Sequence, residues 1–311
     1  MNNDWNQAAP QALARYAADA TAALNALIAA TATIDGQPRL SALLRGLCAQ
    51  TVGLTPLQGA ADAEVVNWRN SPTYSESERA ALAFAEQFSI DVSSLGDDIR
   101  APFQQALGGA AFAASLSCYI ADFTPRLRRA LERLFRPSED GWLAARTEEA
   151  VDPNAAFGEF IRVVYNMKSI DPVLTELVRL RGARLHQCRL CKSLRAHTAL
   201  AAGASEVQFE AIDHYEQSDF SVRQKAALAL VDAIVWQPAH IPDAVIAGVR
   251  EHFTPAEAVE LVLDVMRNGA NKSAVALAAD APLSDGVQVY DIDAAGNMHF
   301  GLDTPAAIAT A

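Results

Sequence analysis

Cys188 and Cys191 lie in the stretch RLHQCRLCKSLRAH (184–197), spaced C-x-x-C. Two thiols so spaced at a helix start can close to a disulfide and reopen, or share a metal ion. A closed zinc site needs four ligands, usually from a second C-x-x-C or a paired histidine motif. The chain has neither. Its other two cysteines, Cys48 and Cys118, are isolated on apolar helical stretches and read as core residues. No metal and no cofactor is therefore expected, and redox chemistry is the use left for the dithiol. A glycine-rich phosphate loop, a G-x-S-x-G elbow and an H-E-x-x-H pair are all missing, so nucleotide binding and the common hydrolases find no support.

The neighbours say what such a dithiol has to work with. A helix is predicted from Gln187 to Ala202, ended by Gly203. Both cysteines then sit in its first turn, where free backbone N–H groups favour a thiolate. Arg195 would project between them one turn on, adding a fixed cation. A guanidinium cannot accept a proton, so the acceptor must be another residue. His197 falls on the apolar stripe of Leu190 and Leu194, either as a catalytic group or as a packed core histidine. His186, in the turn before Cys188, could fold over the dithiol or stay an exposed loop residue. Glu176 sits at the edge of the stripe formed by Val173, Leu177 and Leu180. There it could relay a proton, or pair structurally with Arg181 or Arg184; spacing alone does not choose.

The elements that must hold these residues are mostly helices. Alanine is abundant, aromatics make up 7% of the chain, and A/L/E/R-rich runs dominate. Residues 40–57 (LSALLRGLCAQTVGLTPL) resemble 174–191 (LTELVRLRGARLHQCRLC), and ERAALAFAEQF (78–88) resembles RQKAALALVDAI (223–234), in the same order. This reads as a duplication whose first copy has Ala42 for Glu176, Leu54 for Cys188 and Leu57 for Cys191. The Pro-, Gly- and charge-rich stretch 134–157 is the linker, giving a first domain over 1–150 that lacks the dithiol and a second over 151–311 that carries it. Helix starts are marked at Ser75, Asp171 and Thr254. VQVYDIDAAGNMHFGLD (287–303) alternates apolar and polar residues around a turn and reads as a β-hairpin. The expected fold is all-α, two tandem helical bundle repeats with a small C-terminal β-hairpin.

Bulk charge narrows the partners. The formal net charge is −12, which repels phosphate backbones and anionic lipid surfaces and argues against nucleic acid and membrane. No uninterrupted apolar window of membrane length stands out, and the N-terminal apolar stretch lacks a basic leader. A cytoplasmic setting is expected, where thiols are kept reduced.

A glutamate, eleven residues and then C-x-x-C, within ELVRLRGARLHQCRLCKSLRAHTALAAG, resembles the alkyl hydroperoxidase D-like, or carboxymuconolactone decarboxylase-like, family. The resemblance covers about 157–280, with a degenerate echo over about 35–135. It implies an all-helical homo-oligomer and a peroxidase or disulfide oxidoreductase. Such an enzyme takes a peroxide or disulfide as substrate and a protein or small thiol as reductant. By position it implies Glu176 as proton relay, Cys188 as the more exposed, resolving thiol and Cys191 as the more buried, peroxide-attacking one. The family's relay histidines are replaced here by Leu190 and Arg195. The alternatives are a decarboxylase-like lyase or isomerase with Glu176 as base, and a helical oligomer without catalysis.

Overall fold

This computed structural model describes residues 3–60, 65–143 and 152–305. The first half runs through α1 (Ala9–Tyr16), α2 (Ala18–Ala30), α3 (Pro38–Thr51), α4 (Glu76–Ile90), α5 (Asp97–Leu107) and α6 (Ala111–Leu134). The second begins with α7 (Pro153–Tyr165), α8 (Pro172–Leu185), the single-turn α9 (Arg189–Lys192), the strand β1 (Leu194–Ala196), α10 (His197–Ala201) and α11 (Glu206–Ala211). It ends with α12 (Val222–Trp236), α13 (Asp243–His252), α14 (Pro255–Gly269), α15 (Asn271–Ala276) and the hairpin β2 (Gln288–Ile292) and β3 (Met298–Leu302). The fold is all-α with a small C-terminal sheet.

Local chemistry accounts for the helix starts. Ser75 and Glu78 form a reciprocal capping box at α4, and Thr254 and Glu257 form another at α14. The Asp171 carboxylate accepts the Leu174 N–H at α8, followed by Pro172 at the first helical position. The helix that starts at Thr254 ends at Gly269, one residue before α15 begins. A Cβ there would come within 2.3 Å of the Phe123 ring, so α14 and α6 meet at a point only glycine allows.

Two pairs of helices recur at the offsets read from the sequence. The helices α3 and α8 begin at 38 and 172 and end at 51 and 185, both 134 apart. The helices α4 and α12 begin at 76 and 222 and end at 90 and 236, both 146 apart. The likeness continues beyond the helices. Gly53 (φ 70°) and Gln187 (φ 55°) are both left-handed residues after a helix end. The next N–H groups, of Leu54 and Cys188, return to Ala49 and Ala183 at 2.9 Å in each half. Leu54 thus occupies the place of Cys188.

The halves are not packed as separate bodies. One apolar core runs from Ala9 to Ala276 through both, and a smaller one gathers under the sheet around Leu177, Phe209, Ile212 and Tyr290. Arg126 of α6 ties the halves together. Its guanidinium donates to Asp122 (2.7 Å), to the Ser89 carbonyl ending α4, and to the Ile234 and Val235 carbonyls ending α12. Lys272 donates to the other Asp122 oxygen at 2.7 Å, and all three charges are buried. The boundary expected near residue 150 lies outside the described residues.

One sequence expectation is corrected. The 187–202 helix is interrupted: after α9 the chain extends as β1, which pairs in parallel with β2, Leu194 with Gln288 and Ala196 with Tyr290. That pairing satisfies backbone groups a continuous helix would have satisfied itself. The hairpin is therefore part of a three-stranded sheet, β1–β2–β3. Asp97–Leu134, counted through the α5–α6 junction, is long and apolar enough to cross a bilayer by length and composition, although 61% of its apolar window is buried inside the protein.

Two substitutions test this account by urea denaturation. Gly269→Ala drives a methyl into Phe123 and is expected to cost about 1–3 kcal/mol. Asp122→Asn leaves two buried cations without their carboxylate and is expected to cost about 3–5 kcal/mol.

Candidate functional site

The dithiol forms where α8 turns back. The left-handed Gln187 reverses the chain, and Cys188 becomes the N-cap of α9, its sulfur accepting the Cys191 N–H at 3.2 Å. The two sulfurs are 2.6 Å apart, with the Cys188 thiol directed at Cys191. Both cysteines are free thiols. A disulfide, with its S–S bond of about 2.05 Å, is within reach of a small side-chain shift. Asp280, in the segment after α15, holds this turn from outside. Its carboxylate accepts the Arg189 N–H (2.8 Å) and pairs with the Arg189 guanidinium, and its carbonyl accepts the Leu190 N–H.

Exposure runs opposite to the order implied by the family resemblance. Cys188 is fully buried and Cys191 half-buried. The N-cap position buries the first thiol and leaves the second residue, three positions on, partly exposed. Electrostatics separates them in the same sense. Donation to Cys191, then burial, raises the Cys188 thiol well above the ordinary range. Cys191 is lowered, first by the hydrogen bond from Cys188, then, against its burial, by the Arg179 cation and a hydrogen bond from Asn271.

Arg179 is the cation the site uses. It lies on α8, three residues after Glu176, and clasps that carboxylate through Nε at 2.6 Å and Nη2 at 2.7 Å. Its remaining donors hold the Cys191 and Leu194 carbonyls at 2.9 and 2.8 Å. Glu176, 1% exposed, accepts in addition the Ala196 N–H of β1 at 3.0 Å. The structural pair foreseen with Arg181 or Arg184 is thus made with Arg179 instead. Those two arginines bind Asp232 and Asp213.

Arg195 does not reach the thiols. With 194–196 extended in β1, its side chain turns to Glu206 (2.9 Å) and stacks over Phe209. His197 opens α10 half-buried and makes no hydrogen bond among the described residues. His186 is buried behind the dithiol, not exposed on a loop. Its Nδ1 bonds Asn271 Oδ1 at 2.7 Å, and Asn271 in turn donates to Cys191. Burial, then the nearby Lys272 charge, lowers the imidazole to about 3, so it is neutral, and its Nε2 has no partner among the described residues.

Two further residues, like Arg179 and Asp280 not read from the sequence, complete the site. Asn271 opens α15, and its only sequence signal was the Asn-rich run NGANKS. Tyr290 of β2 is buried beneath the Arg179 guanidinium, 5.3 Å from ring centre to carbon, within electrostatic reach of Glu176 and Cys191. Burial raises its hydroxyl to about 12. Among the described residues no cluster of three or more metal-ligating side chains occurs.

The chain is 43% identical over 273 residues to the uncharacterized protein Rv2313c of Mycobacterium tuberculosis, covering 86% of this chain and 93% of the relative. The chain belongs to the family of that protein. The uncharacterized protein MT2376 of another strain of the same organism matches equally. The uncharacterized protein YdfG of Bacillus subtilis is 30% identical over 112 residues, 35% of this chain and 76% of that protein. No family model matches the chain. No solved structure matches it.

Two measurements probe the electrostatics. Iodoacetamide should label Cys191 ahead of Cys188, with a rate that persists below the ordinary thiol range. Glu176→Gln removes a negative charge beside Arg179 and is expected to lower the Cys191 pKa further, shifting the rate profile to lower pH. The second measurement concerns His186. An unfolded histidine titrates near about 6.5, so below that pH the unfolded chain binds a proton the folded chain refuses until about 3. Stability from this group is complete above about 6.5 and falls on acidification. Urea denaturation of wild type and His186→Gln between about pH 7 and 5 should show the wild-type advantage shrinking by about 2 kcal/mol in all, nearly all of it below about pH 6.5. Asp264, raised by burial to about 6, acts in the opposite sense, losing its contribution as pH rises through that value, and is common to both proteins.

Proposed function

We propose that the protein is a thiol-dependent oxidoreductase of the alkyl hydroperoxidase D-like type, cycling Cys188 and Cys191 between dithiol and disulfide. The observation that carries the reading is the division of labour between the two sulfurs. Cys191 is half-buried, with a lowered pKa, and in contact with a protonated, fully buried Cys188.

The chemistry balances without a cofactor. The Cys191 thiolate attacks one peroxide oxygen, the O–O bond breaks, and the alkoxide leaves and takes a proton from solvent at the half-exposed sulfur. Cys191 is then a sulfenic acid. The Cys188 sulfur attacks it, expelling water and closing the disulfide. Two reducing equivalents from a protein dithiol or two small thiols restore the starting state. With a disulfide substrate, Cys191 attacks sulfur instead and a thiolate leaves.

In this scheme Glu176 is a positioning residue. Both its oxygens are engaged by Arg179 and Ala196, which favours charge balance and anchorage of β1 over the proton relay implied by resemblance. The same engagement weighs against the second reading, a lyase or isomerase with Glu176 as base, since a general base must offer a lone pair to substrate. Arg195 and His197 take no part. The missing relay histidines are expected to make peroxide turnover modest. A cytoplasmic homo-oligomer, working on a peroxide or disulfide with a thiol reductant, goes with this reading.

Titration of the reduced protein with cumene hydroperoxide, followed by mass spectrometry, tests it. A Cys188–Cys191 disulfide should form with one equivalent. Cys191→Ser should abolish consumption, and Cys188→Ser should trap a Cys191 sulfenic acid. If neither peroxide nor a small disulfide oxidises the pair, the proposal is wrong.

A further inference from the structure

The duplication puts an arginine at the same place in each half, Arg45 on α3 and Arg179 on α8, 134 residues apart. Both are buried. Both send Nη1 forward to a backbone carbonyl beyond their helix, Arg45 to Gln58 at 3.1 Å and Arg179 to Cys191 at 2.9 Å. They differ in what answers the charge. Arg179, although buried, has its pKa raised by the Glu176 carboxylate it clasps. Three residues before Arg45 stands Ala42, and Arg45 meets no carboxylate among the described residues. Its Nη2 turns instead to the Ile28 carbonyl at 2.7 Å, and burial lowers its pKa unopposed. Its Nε, the counterpart of an atom that holds Glu176, makes no hydrogen bond among the described residues. Nor is it among the buried polar atoms left unpaired, so it keeps surface of its own. A cleft of about 590 Å³ opens here, lined by Ala32, Pro38, Ala42 and Gly59 beside Arg39 and Arg45. No Asp or Glu lines it among the described residues.

We infer that this cleft is a binding site for a small aliphatic monocarboxylate, seated on Arg45 as the Glu176 side chain is seated on Arg179. Charge, shape and size each specify that chemistry. Arg45 is 5% exposed, and a buried cation without a counter-ion is costly, so an anion that reaches it is favoured. The Nε edge of a guanidinium matches a planar acceptor with two oxygens, and the equivalent arginine holds a carboxylate in that way at 2.6 and 2.7 Å. Alanine in place of glutamate lacks one methylene and the carboxylate, which together are the heavy atoms of acetate. Ala32, Pro38 and Ala42 give a short apolar body its wall. Arg39, the other cation at the cleft, already donates its Nε to Glu78 at 2.7 Å. One unanswered positive charge is left, which selects a monoanion over a dianion.

This inference is independent of the dithiol chemistry, and its test keeps the two apart. Acetate is titrated into the full-length Cys191→Ser protein, with binding read by saturation transfer from the protein to the acetate methyl protons. Saturable binding with a dissociation constant of about 30 mM or below is expected. Acetamide, of the same shape without the charge, should bind at least about tenfold more weakly. Inorganic phosphate at the same concentration as acetate should leave the acetate signal standing. Ala42→Glu supplies the carboxylate from the chain itself and should abolish acetate binding. Arg45→Met should weaken it by about tenfold or more. A dissociation constant above about 30 mM, equal binding of acetamide, displacement by phosphate, or binding undiminished by Ala42→Glu would each overturn the inference. Should either variant fail to fold, the acetamide and phosphate comparisons and the other variant still decide.

Discussion

The buried charge cluster of Arg126, Asp122 and Lys272 is the constraint on which the molecule is organised. Burying three charges is favourable only when each is paired and hydrogen-bonded, and here the pairing needs both halves. Arg126 must find the carbonyl ends of α4 and α12, which occupy equivalent places in the two copies, and Asp122 must find Lys272 from the other half. The halves are held in one relative position. Asn271, the residue before Lys272, is thereby fixed where it can bridge His186 and Cys191. A fold-level pairing in the middle of the protein thus sets an atom-level contact at the dithiol.

The site has a second layer of the same logic. Glu176 and Arg179 are a local pair on one helix, yet their spare hydrogen bonds go to Cys191, Leu194 and Ala196. The ion pair shapes the backbone on which the thiols sit, and Arg179 also contributes its charge to Cys191. Tyr290 closes over this pair from the sheet, excluding water from the side opposite the half-exposed sulfur. Three distant segments, α8, the start of α15 and β2, meet around four residues of α9.

What was legible from sequence was what local rules decide. Capping at Ser75, Asp171 and Thr254 depends on residues three apart, and the hairpin shows its alternation in its own strands. The offsets of 134 and 146 were readable because both copies kept their packing. The strand β1 was not legible. Leu-Arg-Ala carries no alternation, and its extended form is imposed by β2, distant in the chain. Losing that strand meant misplacing Arg195, since a helix would have aimed it at the thiols. Arg179 carries a legible signal, since Glu-x-x-Arg on one helix is an ion-pair spacing, whereas Arg181 and Arg184 are bound elsewhere by Asp232 and Asp213. The order of exposure of the two cysteines depends on the left-handed Gln187, a conformation that glutamine does not announce.

The parallel pairing of β1 with β2 also sets an order of events. Residues 194 and 288 must come together across nearly the whole second repeat, and closing so long a loop is slow. During synthesis the two thiols emerge well before Tyr290 does, and their surroundings are finished only when the last strands have left the ribosome. A nascent chain therefore carries its cysteines before it carries the environment that sets their reactivity apart.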